Sequence, residues 1–348
     1  MQTVIPDYRS NLFNYIKAEL KEFELFGGDE YFESSVKSNE NTTSFKKVNN
    51  YYFFNRKFLF QIGFWNIVTK ENVMVLELNP RIISNWVVLF VRKILKKKTV
   101  LWGHAWPRLG SRSKTDRVRG FMRNLADVIL VYTATQKNEL QIKMPNANIL
   151  FAPNSVYYKK DMITNNNGND INNLIYVGRL TPAKKAFFLV ETFHSIIKKI
   201  PEDCQLIIIG DGEEKERIMD YINSKNLIQK IKVLGHIGEY EKLKAFYDKA
   251  LFSVSPGYVG LSITQSFGFG VPMLISKDEP HSPELEAVIE HRNALFFNTD
   301  DSVFLGNTII NAFKEKEKWV NKRHDIMRFC QENYSIEAMA KSFISLIK

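Results

Sequence analysis

Gly178, Arg179 and Lys184 close the segment LIYVGRLTPAK at 174–184, so an apolar run ends in a glycine and two cations flank the turn that follows. Farther on, CQLIIIGDG at 204–212 ends in Gly210-Asp211-Gly212, and IKVLGH at 231–236 ends in Gly235-His236. Residues 251–276, LFSVSPGYVGLSITQSFGFGVPMLIS, read as a strand, a glycine-bearing turn, a short helix over 262–269 and a second strand. In such a turn, Gly257, Tyr258, Val259, Gly260 and Leu261 bring backbone N–H groups towards an anion, and the next helix aims its positive end at the same point. Arg179 would add a planar fork for phosphate oxygens and Lys184 a point charge. Glu284, after His281-Ser282-Pro283, opens a further helix, where a carboxylate also serves as an ordinary cap.

Apolar runs bounded by turn residues and separated by helical stretches predict parallel sheets with helices on both faces. Ligands bind such sheets outside the carboxyl ends of the strands, where the glycines and cations fall. The first half repeats the pattern, with runs at 73–78, 99–102, 128–132 and 149–152. The fold class expected is α/β, two Rossmann-like doubly wound domains facing across a cleft. The first spans 1–160, the asparagine-rich stretch 161–173 is the linker, the second spans 174–335, and a helix over 336–348 returns to the first. The polar stretch 34–50 reads as a mobile loop.

The second half resembles a family 4 retaining glycosyltransferase of the GT-B fold. The resemblance rests on Gly178-Arg179 with Lys184, Gly210-Asp211-Gly212, Gly235-His236, Gly257 to Leu261, Gly270-Val271-Pro272, Pro283-Glu284 and Asn293 to Phe297. It covers about half the chain strongly and the first half loosely. At one place the chain departs from the family, which usually carries two glutamates eight positions apart, one facing the donor sugar and one holding the ribose. Here those positions are Gly257 and Gln265. The resemblance implies that a hexose moves from a nucleotide diphosphate, UDP- or GDP-linked, to a saccharide acceptor with retention of configuration. Arg179 and Lys184 would take the leaving-group charge, and Gly260 and Leu261 would clamp donor atoms. Gln265 would replace the ribose glutamate through its amide, Glu284 would orient the sugar, and Gly235, His236 and Ile237 would meet the base. His104, in Trp102-Gly103-His104 after a strand, corresponds to a family histidine near the sugar, and Arg9, at the start of the first helix, lies on the diphosphate or acceptor side.

No cofactor and no metal are expected. Enzymes that use a metal for this task need carboxylate ligands, commonly Asp-x-Asp, and no two aspartates here stand two positions apart. Zinc, hydrolase-elbow and P-loop signatures are missing as well. A nucleotide-sugar epimerase of the same architecture and a non-catalytic binding subunit remain open as alternatives.

The 348 residues suit two domains, and Cys204 and Cys330 make no disulfide framework, which suits a reducing cytoplasm. The opening MQTVIPDYRSNLF has neither a long apolar run nor a basic flank, so no signal peptide is expected. The apolar window 82–95 is interrupted by Asn85 and Arg92 and is too short to span a bilayer. Much of the net charge of +10 gathers between Arg92 and Arg123, at Arg92, Lys93, Lys96, Lys97, Lys98, Arg108, Arg112, Lys114, Arg117, Arg119 and Arg123. With the preceding aromatic stretch this suits an anionic membrane surface and a lipid-linked acceptor, such as an undecaprenyl-diphosphate-linked saccharide at the cytoplasmic face of the inner membrane, as in O-antigen or capsule assembly. A core helix followed by a solvated basic turn gives the same pattern. Nucleic acid is not an expected partner, since none of its usual modules appears.

Overall fold

A computed structural model describes residues 1–33, 37–38, 43–107, 110–165 and 167–347. Parts of the expected loop at 34–50, Arg108 of the basic run, Asn166 of the expected linker and Lys348 of the final helix lie outside the described residues. Two compact units form: Met1–Val156 joined by the chain from Ile336 onward, and Tyr157–Ser335.

The first unit contains α1 (Asp7–Glu19), the short strands β1 (Phe26–Gly27) and β2 (Lys46–Lys47), a hairpin of β3 (Asn49–Phe53) and β4 (Phe58–Ile62), then β5 (Met74–Glu77), α2 (Ile83–Ile94), β6 (Thr99–Trp102), α3 (Asp116–Leu125), β7 (Val128–Val131), α4 (Ala134–Lys143) and β8 (Ile149–Phe151). Among the described residues β5, β6, β7 and β8 make a four-stranded parallel sheet in that order. β6 and β7 are buried throughout, as their unbroken apolar runs require.

The second unit contains β9 (Asn173–Val177), α5 (Ala186–Ile196), β10 (Leu206–Ile209), α6 (Lys215–Ser224), β11 (Ile231–Val233), α7 (Tyr240–Asp248), β12 (Ala250–Ser255), α8 (Ser262–Gly268), β13 (Met273–Ser276), β14 (Ala294–Phe297), α9 (Ser302–Lys314) and α10 (Lys316–Asn333). Its six described strands are parallel in the order β11-β10-β9-β12-β13-β14. The order reverses beside β9, so the turns after β9 and β12 open at the switch point where ligands of such sheets sit. The last helix, α11 (Ile336–Ile344), belongs to the first unit, where it packs on α1 and sets Phe343 edge-on to Trp102 at 4.8 Å.

Three expectations need correction. Residues 161–173, expected as a linker, lie inside the second unit: Ile171 is fully buried, Asn165 Nδ2 donates to Asp248 O at 3.3 Å and Thr164 Oγ1 accepts from Arg323 Nε at 3.1 Å. Asparagine amides supply the partners that a loop backbone otherwise seeks in water. The stretch 34–50 is not wholly loop, since Lys46–Lys47 pairs with Phe26–Gly27 and Asn49 opens the hairpin. The basic run is not wholly a surface, because Arg92 and Arg123 are buried. Arg92 donates to Thr99 Oγ1, Val68 O, Asn72 Oδ1, Asn72 O and Lys98 O at 2.6–3.0 Å. Arg123 pairs with Asp116 at 2.9 Å, and Arg119 donates to Leu78 O and His104 O. The Arg92 and Arg119 guanidinium groups gather backbone carbonyls of separate segments, the work a fixed fork does well.

Candidate active site

At the carboxyl ends of β9, β10 and β11, the backbone itself builds the floor of the second unit's candidate site. Gly178 N–H donates to Ile209 O at 3.0 Å and Gly210 N–H to Gly235 O at 2.8 Å. Gly210 has φ +151°, and a Cβ there would stand 1.8 Å from Gly178 O, so only glycine lets these turns approach. His236 is exposed beside Asp211 and Ile237 is half-buried.

The turn after β9 and the turn after β12 are clamped together. Tyr258 N–H donates to Ala183 O at 3.0 Å, Lys184 Nζ donates to Tyr258 O at 2.7 Å, and Nζ also lies 4.6 Å from the centre of the Tyr258 ring. Gly257 permits this contact: a Cβ would meet Ala183 O at 2.4 Å and the Lys184 carbonyl carbon at 2.8 Å. The family's usual glutamate therefore has no room here. Burial, then the charge of Arg179, push Lys184 down to about 8 against the pull of Glu284. Arg179, Lys184 and Glu284 thus sit within electrostatic reach of one another. Arg179 is exposed, and Glu284 is buried in a five-residue 3-10 turn rather than at the head of the expected α-helix.

The Gly257 to Leu261 turn does not offer all its N–H groups to a ligand. Tyr258 N–H is taken by Ala183 O, and Val259 N–H donates to His281 Nδ1 at 3.1 Å. The N–H groups of Gly260 and Leu261 have no partner among the described residues. His281 holds the turn from below. Its Nδ1 accepts from Val259, so its Nε2 carries the proton and donates to Ser276 O at 2.6 Å. Burial, with help from Lys184, lowers its pKa against the Ser276 bond and Glu279. Tyr258 Oη and Ser282 Oγ share a further hydrogen bond. Gln265 is half-buried, its Nε2 donates to Tyr157 Oη at 2.9 Å, and Tyr157 packs edge-on against Tyr240 and Phe269. His281 and Tyr157 were not among the expected site residues. The histidine's place just before Pro283-Glu284 was the available signal, whereas nothing in sequence ties Tyr157 to a residue 108 positions away.

In the first unit, Arg9 and His104 meet at one tyrosine. Arg9 Nη2 donates to Tyr132 Oη and Nη1 to Gln2 Oε1, both at 2.8 Å, while its guanidinium lies 4.3 Å from the Trp102 ring. The exposed His104 ring stands edge-on to Tyr132 at 4.7 Å. Glu77 accepts from the Thr3 N–H and hydroxyl, which ties the chain's start to β5.

This geometry, backbone turns and cations gathered at the switch point of a parallel sheet, has relatives among known proteins. Residues 159–328 match the family model described as Glycosyl transferases group 1. The chain is 21% identical over 291 residues to N-acetyl-alpha-D-glucosaminyl L-malate synthase of Bacillus anthracis, covering 80% of this chain and 75% of that protein. Alpha-monoglucosyldiacylglycerol synthase of Acholeplasma laidlawii is 28% identical over 132 residues, 37% of this chain and 32% of that one. Among solved structures, HepE of Anabaena in complex with UDP and glucose is similar with a TM-score of 0.66, at 12% identity, over 99% of this chain and 98% of that one. The fold is GT-B. The family match falls within the second unit, and with these relatives it marks the chain as a glycosyltransferase.

Proposed function

We propose that the protein transfers a hexose from a UDP- or GDP-linked donor to a saccharide acceptor, with retention of configuration and without a metal. The observation that carries this reading is the pair of cations: Lys184 is clamped over the Tyr258 turn, Arg179 stands beside it, and the N–H groups of Gly260 and Leu261 follow. Cleavage leaves negative charge on the departing diphosphate, and preformed positive groups stabilise that charge most where water is excluded. The acceptor hydroxyl attacks on the face the diphosphate leaves, and a diphosphate oxygen helps to take its proton. Glu284 orients the sugar. The HepE complex with UDP and glucose favours UDP as the donor base.

For the acceptor we propose a lipid-linked saccharide, undecaprenyl-diphosphate-linked, at the cytoplasmic membrane face in surface-polysaccharide assembly. The Acholeplasma relative, named for a glucosyl diacylglycerol, supports a lipid-borne acceptor. Among the described residues no helix is long and apolar enough to cross a membrane, so attachment would be peripheral.

Thermal unfolding with UDP and GDP tests the donor. A nucleotide at 100 times its Kd adds about 2.7 kcal/mol of stability. Arg179→Gln should lower turnover by roughly 3–4 kcal/mol of transition-state stabilisation. Turnover of that variant within a few-fold of wild type would sink the assignment.

A further inference from the structure

Two elements of the first unit turn polar side chains inward beside a few apolar ones and carry large apolar side chains on the outside. In the hairpin, the register pairs Tyr51 with Phe60 and Phe53 with Phe58. The inward row is Asn50, Tyr52, Leu59 and Gln61. There Asn50 Nδ2 donates to Thr3 O and Glu30 O, and Gln61 Nε2 donates to Gln2 O and Asn50 Oδ1. The outward row holds Tyr51, Phe53, Phe58 and Ile62, all exposed, with Phe54 at the tip 78% exposed. In α2 the buried residues are Ser84, Asn85, Val88, Leu89 and Arg92, while Ile83, Val87, Phe90 and Ile94 form a stripe on the opposite side, Ile94 being 80% exposed.

These surfaces adjoin. Leu59 N–H donates to Arg81 O at 2.9 Å and Gln61 N–H to Ser84 Oγ at 3.3 Å, which seats β4 against the start of α2. On its other side α2 meets α3, where Phe121 stacks on Trp86 at 5.9 Å and lies 6.1 Å from Phe90. Phe121 and Val118 of α3 are again exposed. The exposed charges on these three elements and the turns beside them are mostly cationic, at Lys57, Arg81, Lys93, Lys96, Lys98, Arg112, Lys114 and Arg117, while the neighbouring carboxylates Asp127, Glu71 and Glu30 pair with Lys93, Lys97 and Arg56. The sequences of the hairpin and α2 contain no carboxylate, and the single one on α3, Asp116, is buried against Arg123 and Lys143.

We propose that the hairpin, α2 and α3 together form a docking surface for an anionic lipid bilayer. Large exposed apolar faces mark interaction sites. Aromatic side chains favour the headgroup region, and an excess of flanking cations over carboxylates matches an anionic leaflet. The outward apolar rows fit a surface that is exposed in water and covered in use. This deepens the lipid-linked acceptor reading and rests on it for purpose, though not for geometry.

The test is co-sedimentation of the full chain with vesicles of phosphatidylglycerol and phosphatidylcholine or of phosphatidylcholine alone. Binding is expected to the anionic vesicles only and to weaken with salt. Phe54→Ser/Phe58→Ser and Phe90→Ser/Ile94→Ser should each reduce it at least tenfold, and Lys96→Ser and Arg117→Ser roughly fivefold each. Ile142→Ser, an 83% exposed apolar residue on α4, should leave it unchanged. A UDP-induced rise in melting temperature, retained in all these variants, keeps the donor reading separate and shows that they fold. Equal binding to both vesicle types, or none to either, overturns the proposal. So does a concentration-dependent dimer that Phe90→Ser/Ile94→Ser abolishes, since that outcome assigns the surface to a second copy.

Discussion

Lys184 should make donor binding depend on pH in a range where few other groups titrate. Burial and the neighbouring Arg179 bring its pKa to about 8, so in the free protein the ammonium is about nine-tenths charged at pH 7 and about one-tenth charged at pH 9. A diphosphate bound beside Nζ favours the charged form and raises that pKa. The sign follows from these two states. Above pH 8 the complex holds a proton that the free protein lacks, so affinity falls as pH rises. If the charged form alone binds, the Kd for UDP should rise about tenfold from pH 7 to pH 9, or about 1.4 kcal/mol. Calorimetric titration in buffers of different ionisation enthalpy reads the same event directly, with almost no proton taken up at pH 7 and nearly one at pH 9. Lys184→Gln should bind weakly and lack this extra fall, and comparison at each pH removes any titration of the nucleotide itself. Lys184→Arg should restore a charge that does not titrate and so flatten the profile with less loss of affinity. Wild type and Lys184→Gln falling in parallel would refute the placing of Lys184 at the diphosphate.

Two further outcomes follow from the turn that Lys184 meets. Restoring the family's usual carboxylate with Gly257→Glu should destabilise the protein by about 1–3 kcal/mol, because the new Cβ meets backbone atoms at 2.4 and 2.8 Å rather than a yielding side chain. Gly257→Ala should show most of the same loss, at about 2–4 °C of melting temperature per kcal/mol, with UDP affinity reduced in both. A stable Gly257→Glu protein with unchanged affinity would show that the two turns are not locked together. His281, neutral in the folded protein because burial lowers its pKa, contributes stability that is present above about pH 6.5 and is lost as pH falls through the lowered folded value, since the unfolded chain then binds more protons. Urea unfolding between pH 7.5 and 5 should show this component in wild type and not in His281→Ala. That variant should also lose about 1–3 kcal/mol at neutral pH from the unsatisfied Val259 N–H. Parallel pH profiles would assign the acid sensitivity to other groups.

The parts of this protein legible in sequence are those where local pattern and tertiary role agree. The strands of both parallel sheets read as continuous apolar runs because they are covered on both faces, and the turns after them read as glycines because backbone approaches backbone there. That Arg179 and Lys184 belong to the turn after β9 was legible for the same reason. Partnerships set by distant chain were not. The hold of Tyr157 on Gln265 joins residues 108 positions apart, and the grip of His281 on Val259 spans 22.

The least legible region is the first unit's outer surface, and its failure has a physical cause. Periodicity assigns the apolar row of an amphipathic element to the core. In α2 that rule accounts for the buried Val88 and Leu89 but not for Asn85 and Arg92, which look like interruptions and instead satisfy carbonyls of Glu77, Val68, Asn72 and Lys98. In the hairpin it hides the element altogether, since Asn50 and Gln61 spend their amides on the loop carbonyls of Thr3, Glu30 and Gln2, and the aromatics are left outside. An unsatisfied buried carbonyl costs about as much as the burial of an aliphatic side chain gains, so loops packed beneath a sheet edge can reverse the polarity of what covers them. Where two neighbouring elements turn amides and a guanidinium inward and keep an excess of cations at their rim, the exposed apolar face is an arrangement that the inward polar residues hold in place.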